Sequence, residues 1–323
     1  MAFDSTRPKL GIIGANGRMG RAIIGKLNTA DFELSHLHLI ESHEIFANLD
    51  NIHAKSKSLI NSCLELFAHN NDCKALYADL IDHHGKLLVC EQDAITCLSS
   101  QQSNEGHSIA ITHNLDLVFR NCDVVIDFSA PESTMRAAEL SKKYEKILVS
   151  GTTGFSGTQT AELEKLSATG GKIVWSSNMS FGVNVLFSLV SKAANILSGS
   201  EYDCEILEKH HNLKKDAPSG TAITLGKTVA QGRNMDFDDV KCLSREGIVG
   251  ERKPDEIGFS TIRHGNTVGY HEVSFCSSDE RIWLGHEAFN RDIFASGALK
   301  AAKIAYAQNI KSGKLYTISD LLF

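Results

Sequence analysis

Only 4 prolines occur in 323 residues, which leaves little room for extended linkers between folded parts. The 8 cysteines (63, 73, 90, 97, 122, 204, 242 and 276) stand singly, with no C-x-x-C pair. That spacing excludes a zinc knuckle and a thioredoxin-type centre, and it reads as buried thiols in a reducing compartment. No apolar run reaches the roughly 18 residues of a membrane-crossing helix, and Met1 to Lys9 lacks the apolar core of a secretion signal. The cytoplasm is therefore the expected location, with no membrane partner. An excess of positive charge is missing too: the net charge is -6, which argues against a nucleic-acid binder, since phosphate neutralisation needs a basic face. What is present is globular composition, 42% apolar and 22% charged, in a chain long enough for two ordinary domains.

The amino-terminal third opens with a short apolar run, Leu10 to Ile13, that ends in Gly14-Ala15-Asn16-Gly17-Arg18-Met19-Gly20. Met19, Ile23 and Leu27 then recur at helical spacing, so the reading is strand, glycine turn, helix. A backbone carrying Cβ atoms could not turn that tightly and still bring its N–H groups against a pyrophosphate, so the loop reads as dinucleotide-binding. A second strand, Leu34 to Ile40, ends at Glu41, where a βαβ unit presents an acid to a ribose. A carboxylate there accepts from both ribose hydroxyls and repels a 2′-phosphate, favouring NADH over NADPH, a choice that Arg18 is close enough in sequence to soften.

Alternation continues downstream. Asp123 to Phe128 is a strand, with Ser129 as a capping serine before Pro131 and Glu132. Ile147 to Val149 leads into Gly151-Thr152-Thr153-Gly154, a helix covers roughly 158 to 168, and Lys172 to Trp175 leads into Ser177-Asn178-Met179-Ser180. Strands separated by helices of this length imply a doubly wound parallel sheet, with ligands bound at the carboxyl ends of its strands. On its own the Gly151 turn is an ordinary turn; beside a cofactor loop it becomes a ligand turn, as does Ser177 to Ser180. Residues 43 to 110 are the least legible: Leu59, Ile60, Cys63, Leu64 and Phe67 suggest one amphipathic helix, and 43–105 reads as an elaboration or insertion.

Past about Phe181 the pattern changes to a helix near 184 to 197, a strand at 202 to 207, a helix from Ser219 to about Gln231, and strands near 241–244, 258–263, 267–276 and 281–286. Strands that follow one another without crossover helices predict a second α+β domain on an open, mixed or largely antiparallel sheet. From Arg291 the chain turns helical and is expected to pack on the first domain. The expected division is 1–181 plus 287–323 for the dinucleotide domain, and 182–286 for a substrate and oligomerisation domain.

Chemistry concentrates in Lys209 to Ala222, which holds His210, His211 and Lys214 ahead of Pro218-Ser219-Gly220-Thr221. A basic cluster is ordinarily a solvated surface. Here His210 and Lys214 are four apart and share a face if the segment coils, and histidine titrates where a general acid must. Ser219, Gly220 and Thr221 form a helix mouth able to bind a carboxylate. A zinc site at His210 and His211 is disfavoured, because no cysteine or acid stands at ligand spacing; no metal is expected. Arg263 is either a surface arginine or a fork for a second carboxylate.

Together the 14–20 glycine loop, Asp127-Phe128-Ser129, Gly151 to Phe155, the His210 to Ala222 string, Gly258 to Arg263, His271 and the Phe294 to Ala298 helix resemble the dihydrodipicolinate reductase family. The resemblance implies a Rossmann-type cofactor domain joined to a substrate domain, usually assembled as a homotetramer. It implies hydride transfer from NADH or NADPH that reduces 4-hydroxy-tetrahydrodipicolinate or dihydrodipicolinate, a small dicarboxylate, to tetrahydrodipicolinate in lysine and diaminopimelate biosynthesis. Carried over by position, His210 is the proton donor, Lys214 its partner, and His211, Gly220 and Thr221 contact substrate. Gly14, Ala15, Asn16, Gly17, Arg18, Met19, Glu41, Gly151, Thr152, Thr153, Ser177, Asn178, Met179 and Ser180 would hold the cofactor. The sequence departs from the family at Tyr270, at Asn212-Leu213 and in the long 43–105 segment. Rival readings are an aspartate-semialdehyde or homoserine type dehydrogenase, and a sensor that keeps NADH without turnover.

Overall fold

The computed structural model describes residues 7–15, 17–27, 31–38, 96–99, 108–112 and 114–322. Asn16, Glu41, the 59–67 amphipathic stretch and all of the 43–105 segment except 96–99 lie outside the described residues. The chain divides into two units, Met1–Met179 with Phe294–Phe323, and Ser180–Ile293.

In the first unit β1 (Lys9–Ile13), α1 (Arg18–Lys26) and β2 (Glu33–His38) form the opening turn-bearing unit. They are followed by β3 (Thr96–Ser99), β4 (Ser108–Thr112), α2 (Leu115–Asn121), β5 (Val124–Asp127), α3 (Pro131–Tyr144), β6 (Ile147–Ser150), α4 (Gly157–Ala168) and β7 (Lys172–Trp175). The sheet order is β3-β4-β2-β1-β5-β6-β7. All its pairings are parallel except β3 with β4. β5, β6 and all of β1 after Lys9 are buried, as strands covered on both faces must be, which is why they read as apolar runs without alternation. Helix α4 opens on a reciprocal capping box between Ser156 and Gln159.

One local expectation fails. The residue capping α3 is Ala130, with Pro131 in the first turn, and the Ser129 hydroxyl instead donates to the carboxylate of Asp127. The helix starts one residue later than a serine cap requires, so Ser129 stands outside the cap position and its hydroxyl donates to the buried carboxylate. Strand β4 and helix α2 were not legible in the sequence: their five- and seven-residue lengths are too short for periodicity to emerge. Cys122 and Cys204 are buried thiols, but Cys276 is exposed because it ends a strand on its open face.

The second unit contains α5 (Phe181–Ile196), β8 (Asp203–His210), α6 (Gly220–Gly232), α7 (Phe237–Val240), β9 (Lys241–Cys242), β10 (Ile257–Arg263), β11 (Gly269–Cys276) and β12 (Arg281–Ala288). The strand order is β12-β11-β8-β10-β9. β11 runs antiparallel to β8 and β12, whereas β10 runs parallel to β8 and β9, so the sheet is mixed. Leu186, Val190 and Ala194 of α5 and Leu225, Val229 and Ala230 of α6 bury the inner face against Cys204, Ile206, Phe259, Val273 and Phe275. The remaining helices are α8 (Asp292–Ala307) and α9 (Ile318–Leu322). No helix among the described residues is long and apolar enough to cross a membrane.

Candidate active site

Strand β8 alternates along its length, with Cys204, Ile206, Glu208 and His210 turned inward. Period-two geometry thus carries one strand face from core to chemistry within four residues. β10 and β11 extend that row, for Thr261 and His271 both lie opposite Glu208, and Arg263 lies opposite His210. At the end of the row, α6 begins with Ser219 as its N-cap, the hydroxyl accepting from the Ala222 N–H at 3.2 Å.

Glu208 is fully buried and gathers this corner. His210 Nδ1 donates to its Oε2 at 2.5 Å, the Ser219 N–H to Oε1 at 3.0 Å, and Arg263 reaches both oxygens at 2.7 and 2.8 Å. Burial raises the Glu208 carboxyl, but the His210 and Arg263 donors outweigh it and hold the group at about 2. It is therefore a carboxylate that only accepts, and His210 carries its Nδ1 hydrogen in either charge state. The exchangeable proton of His210 is the one on Nε2, an edge that runs past Gly269, where an added Cβ would stand 3.2 Å away.

His271 crosses the His210 ring edge-on, with centroids 5.1 Å apart, and its Nε2 lies 3.0 Å from the Ser219 hydroxyl. Burial above all, with His210 and Lys214 nearby, pushes His271 down to about 3, so it stays neutral; its Nδ1 is buried without a partner. Lys214 pairs with exposed Asp216 at 2.9 Å. His211 Nε2 lies 3.1 Å from the Arg291 guanidinium, and desolvation with that neighbouring charge lowers its pKa.

The structure thus brings His210, Lys214 and the Ser219 turn into one neighbourhood, but two details differ from the sequence reading. Residues 211–219 form turns and not a coil of helix, with the Lys214 N–H donating to the His211 carbonyl at 3.2 Å. The Arg263 fork is taken by Glu208 and by the Asp216 carbonyl, which removes it from the groups free to meet a second carboxylate. Ser219 is 2% exposed and engaged on both N–H and hydroxyl, whereas Gly220 is exposed and Thr221 half-buried. Glu208, Thr261, His271 and Arg291 were not singled out as site residues. The signal for Glu208 was present: an acid two residues before a histidine on a strand shares its face.

In the first unit, Gly14 has φ +76 and the Gly17 N–H returns to the Gly14 carbonyl at 2.9 Å. A Cβ on Gly20 would stand 2.2 Å from that carbonyl, so α1 lies directly on the turn. Its N-cap, Gly17, offers no side-chain acceptor to the first-turn N–H groups. This is a cradle that fits a dinucleotide pyrophosphate. Ala15 is buried, Met19 half-buried and Arg18 exposed. At the neighbouring strand ends Gly151 is half-buried and Thr153 exposed, while Thr152 is 4% exposed. Ser177 is exposed, Asn178 half-buried, Met179 buried, and Ser180 caps α5.

Residues 82–179 match the family description Dihydrodipicolinate reductase, N-terminus, and residues 182–322 match Dihydrodipicolinate reductase, C-terminus. The 4-hydroxy-tetrahydrodipicolinate reductase of Lawsonia intracellularis (strain PHE/MN1-00) is 48% identical over 219 residues, 67% of this chain and 83% of that protein. The corresponding reductase of Wolbachia pipientis wMel is 45% identical over 214 residues, 66% of this chain and 79% of that protein. A solved structure of dipicolinate-bound dihydrodipicolinate reductase from Paenisporosarcina sp. TG-14 superposes with a TM-score of 0.63 at 20% identity, covering 97% of this chain and 98% of that one. That last likeness is one of fold, but the sequence matches reach both units, and by them this chain belongs to the dihydrodipicolinate reductase family.

Proposed function

We propose that the chain reduces 4-hydroxy-tetrahydrodipicolinate to tetrahydrodipicolinate, in lysine and diaminopimelate biosynthesis, with His210 as proton donor. As a member of its family it is an NAD(P)H-dependent oxidoreductase, and the first unit's glycine cradle fits the pyridine nucleotide. The observation that carries the catalytic assignment is the hydrogen bond from His210 Nδ1 to buried Glu208, which leaves Nε2 as the only nitrogen able to give up a proton.

The hydroxy substrate loses water to give the conjugated imine, and reduced nicotinamide, when bound, would supply a hydride to a ring carbon of that imine, sending the electron pair toward the ring nitrogen. The chain's residues do the rest. His210 delivers its Nε2 proton to the adjacent ring carbon, and the Lys214 ammonium offsets the negative charge that builds up. The exposed Gly220 and half-buried Thr221, at the mouth of α6, donate to a substrate carboxylate, with the helix dipole in support. Ser219 holds that mouth in shape through Glu208 and His271. The cofactor contacts assigned above belong to the same reading: Gly14 to Met19, Gly151 and Thr153, and Ser177 to Ser180, with Thr152 between its neighbours buried and bonded inward. Glu41, beyond the end of β2, favours NADH over NADPH by repelling a 2′-phosphate, so kcat/KM is expected to be higher with NADH.

The test is turnover at 340 nm by wild type and His210→Gln. General-acid catalysis predicts a fall of about two to four orders of magnitude in kcat, and near-normal turnover would remove His210 from the mechanism. The homotetramer also belongs to this proposal. It is supported by the outer face of the second sheet, which no helix of its own unit covers and which exposes Ile262 and Trp283.

A further inference from the structure

The last residue of β5 is a carboxylate with no exposure to solvent. Asp127 lies in one row with Ile13 of β1, Ser150 of β6 and Trp175 of β7, the residues paired across the carboxyl ends of four adjacent parallel strands. Every donor it meets among the described residues is a hydroxyl. Ser129 Oγ donates to Oδ1; Thr134 Oγ1, Ser150 Oγ and Thr152 Oγ1 donate to Oδ2, at 2.5, 2.7 and 3.1 Å. Among the described residues no cation pairs with it, and burial pushes its pKa up in spite of the four hydroxyls. A buried carboxyl without a counter-charge is costly, and an apolar residue would close the strand end more cheaply.

The bonds it makes explain what the arrangement achieves. Ser129 belongs to the turn before α3, Ser150 ends β6 and Thr152 lies in the turn after it, so one carboxylate joins two loops at the strand ends. Thr152 is used up in the process. Its hydroxyl donates to Asp127 and accepts the Ser129 N–H at 3.0 Å, its N–H reaches Ser150 Oγ at 3.3 Å, and its carbonyl accepts the Trp175 indole N–H at 2.9 Å. Each polar group of Thr152 is thus engaged within the protein, while Thr153 beside it is exposed. Gly151 is held as tightly, since a Cβ there would meet the Phe128 ring at 2.2 Å.

We propose that Asp127 is a positioning residue for the cofactor: it clamps the loops after β5 and β6 in the shape that receives the pyridine nucleotide, and Thr152 serves through this clamp without touching the ligand. The proposal rests on the reading that the first unit binds the cofactor. Pre-organised loops bind more tightly because the ordering is complete before the ligand arrives.

The experiment is titration of the full-length enzyme with NADH and with NADPH, followed by fluorescence, together with KM for both substrates and a thermal melt. It uses wild type, Asp127→Asn, Thr152→Val and the double variant. Losing a hydrogen bond to a charged group predicts a rise of about tenfold or more in cofactor Kd for each single variant. The KM for the dicarboxylate should stay within about twofold, and the double variant should be no worse than Asp127→Asn, because the two side chains act as one unit. Cofactor Kd unchanged in Asp127→Asn, even with a lower Tm, would reduce the carboxylate to a structural role and overturn the proposal. Weakened binding in Thr152→Val alone, with Asp127→Asn normal, would overturn it as well, pointing to direct contact. Should Asp127→Asn fail to fold, Thr152→Val and Ser129→Ala decide by the same readout, since a clamp requires that both weaken binding. Failure of wild type to bind either dinucleotide would strike the cofactor reading itself, a result distinct from all of these.

Discussion

His271 refuses a proton until about pH 3, because its ring is buried and faces the positive charge of its neighbours. In the unfolded chain the same group titrates near its ordinary 6.5. Stability from this residue is therefore complete above pH 6.5 and lost as the pH falls toward 3, with a slope of about 1.4 kcal/mol per pH unit. His271→Asn should lose stability at pH 7.5 yet flatten that slope, which chemical unfolding between pH 7.5 and 4 would measure; an unchanged slope would mean the ring is not buried neutral. Glu208 has the opposite chemistry and the same acid sensitivity. Held at about 2 against an ordinary 4.5, it contributes stability above 4.5 that is lost as the pH falls through 2. Removing its charge leaves the Arg263 guanidinium, 19% exposed, without its partner. Glu208→Gln should cost about 3 kcal/mol in urea unfolding, and Glu208→Gln with Arg263→Met should recover part of it. Equal losses in the single and double variants would show that the ion pair is not the source.

Among the elements, the opening β1–turn–α1 unit allows the sharpest prediction. Gly20 meets backbone atoms of Gly14 and Ala15 at 2.2 and 2.5 Å from the position of a Cβ, and backbone cannot rotate away as a side chain can. Gly20→Ala should therefore push the helix off the turn, lowering stability by about 1–3 kcal/mol and weakening dinucleotide binding. A titration with NADH that left Kd unchanged would separate the turn from the cofactor. The same unit was legible in the sequence because its glycines answer a local steric demand. So was α6, whose N-cap serine and apolar spacing are also local. Ser129 was misread for the complementary reason: its local neighbours suit a cap, but the helix starts after Ala130, and the Ser129 hydroxyl donates to a carboxylate that the sheet fixes two residues back. Arg263 was open for like reasons, since nothing in its own strand reveals that Glu208 lies across the sheet, 55 residues earlier.

For the molecule as a whole, the second unit is a two-layer structure with helices on one sheet face alone, and its outer face carries Trp283 at 58% exposure and Ile262 at 38%. Such a face is expected to pair with copies of itself. Light scattering at micromolar concentration should give the mass of four chains, and Trp283→Asp should shift the population toward smaller species; a wild-type monomer would end the tetramer proposal. By itself the sequence determined the parallel sheet, the second mixed sheet, the glycine cradle and the histidine–lysine segment, because helical spacing, strand runs and turn glycines are properties of neighbouring residues. Only the tertiary structure decided which nitrogen of His210 carries the exchangeable proton, that Arg263 is occupied, and that Asp127 binds two loops together. Each of those depends on side chains that strand pairing brings into contact across long stretches of chain, and a linear order of residues does not contain the register that joins them.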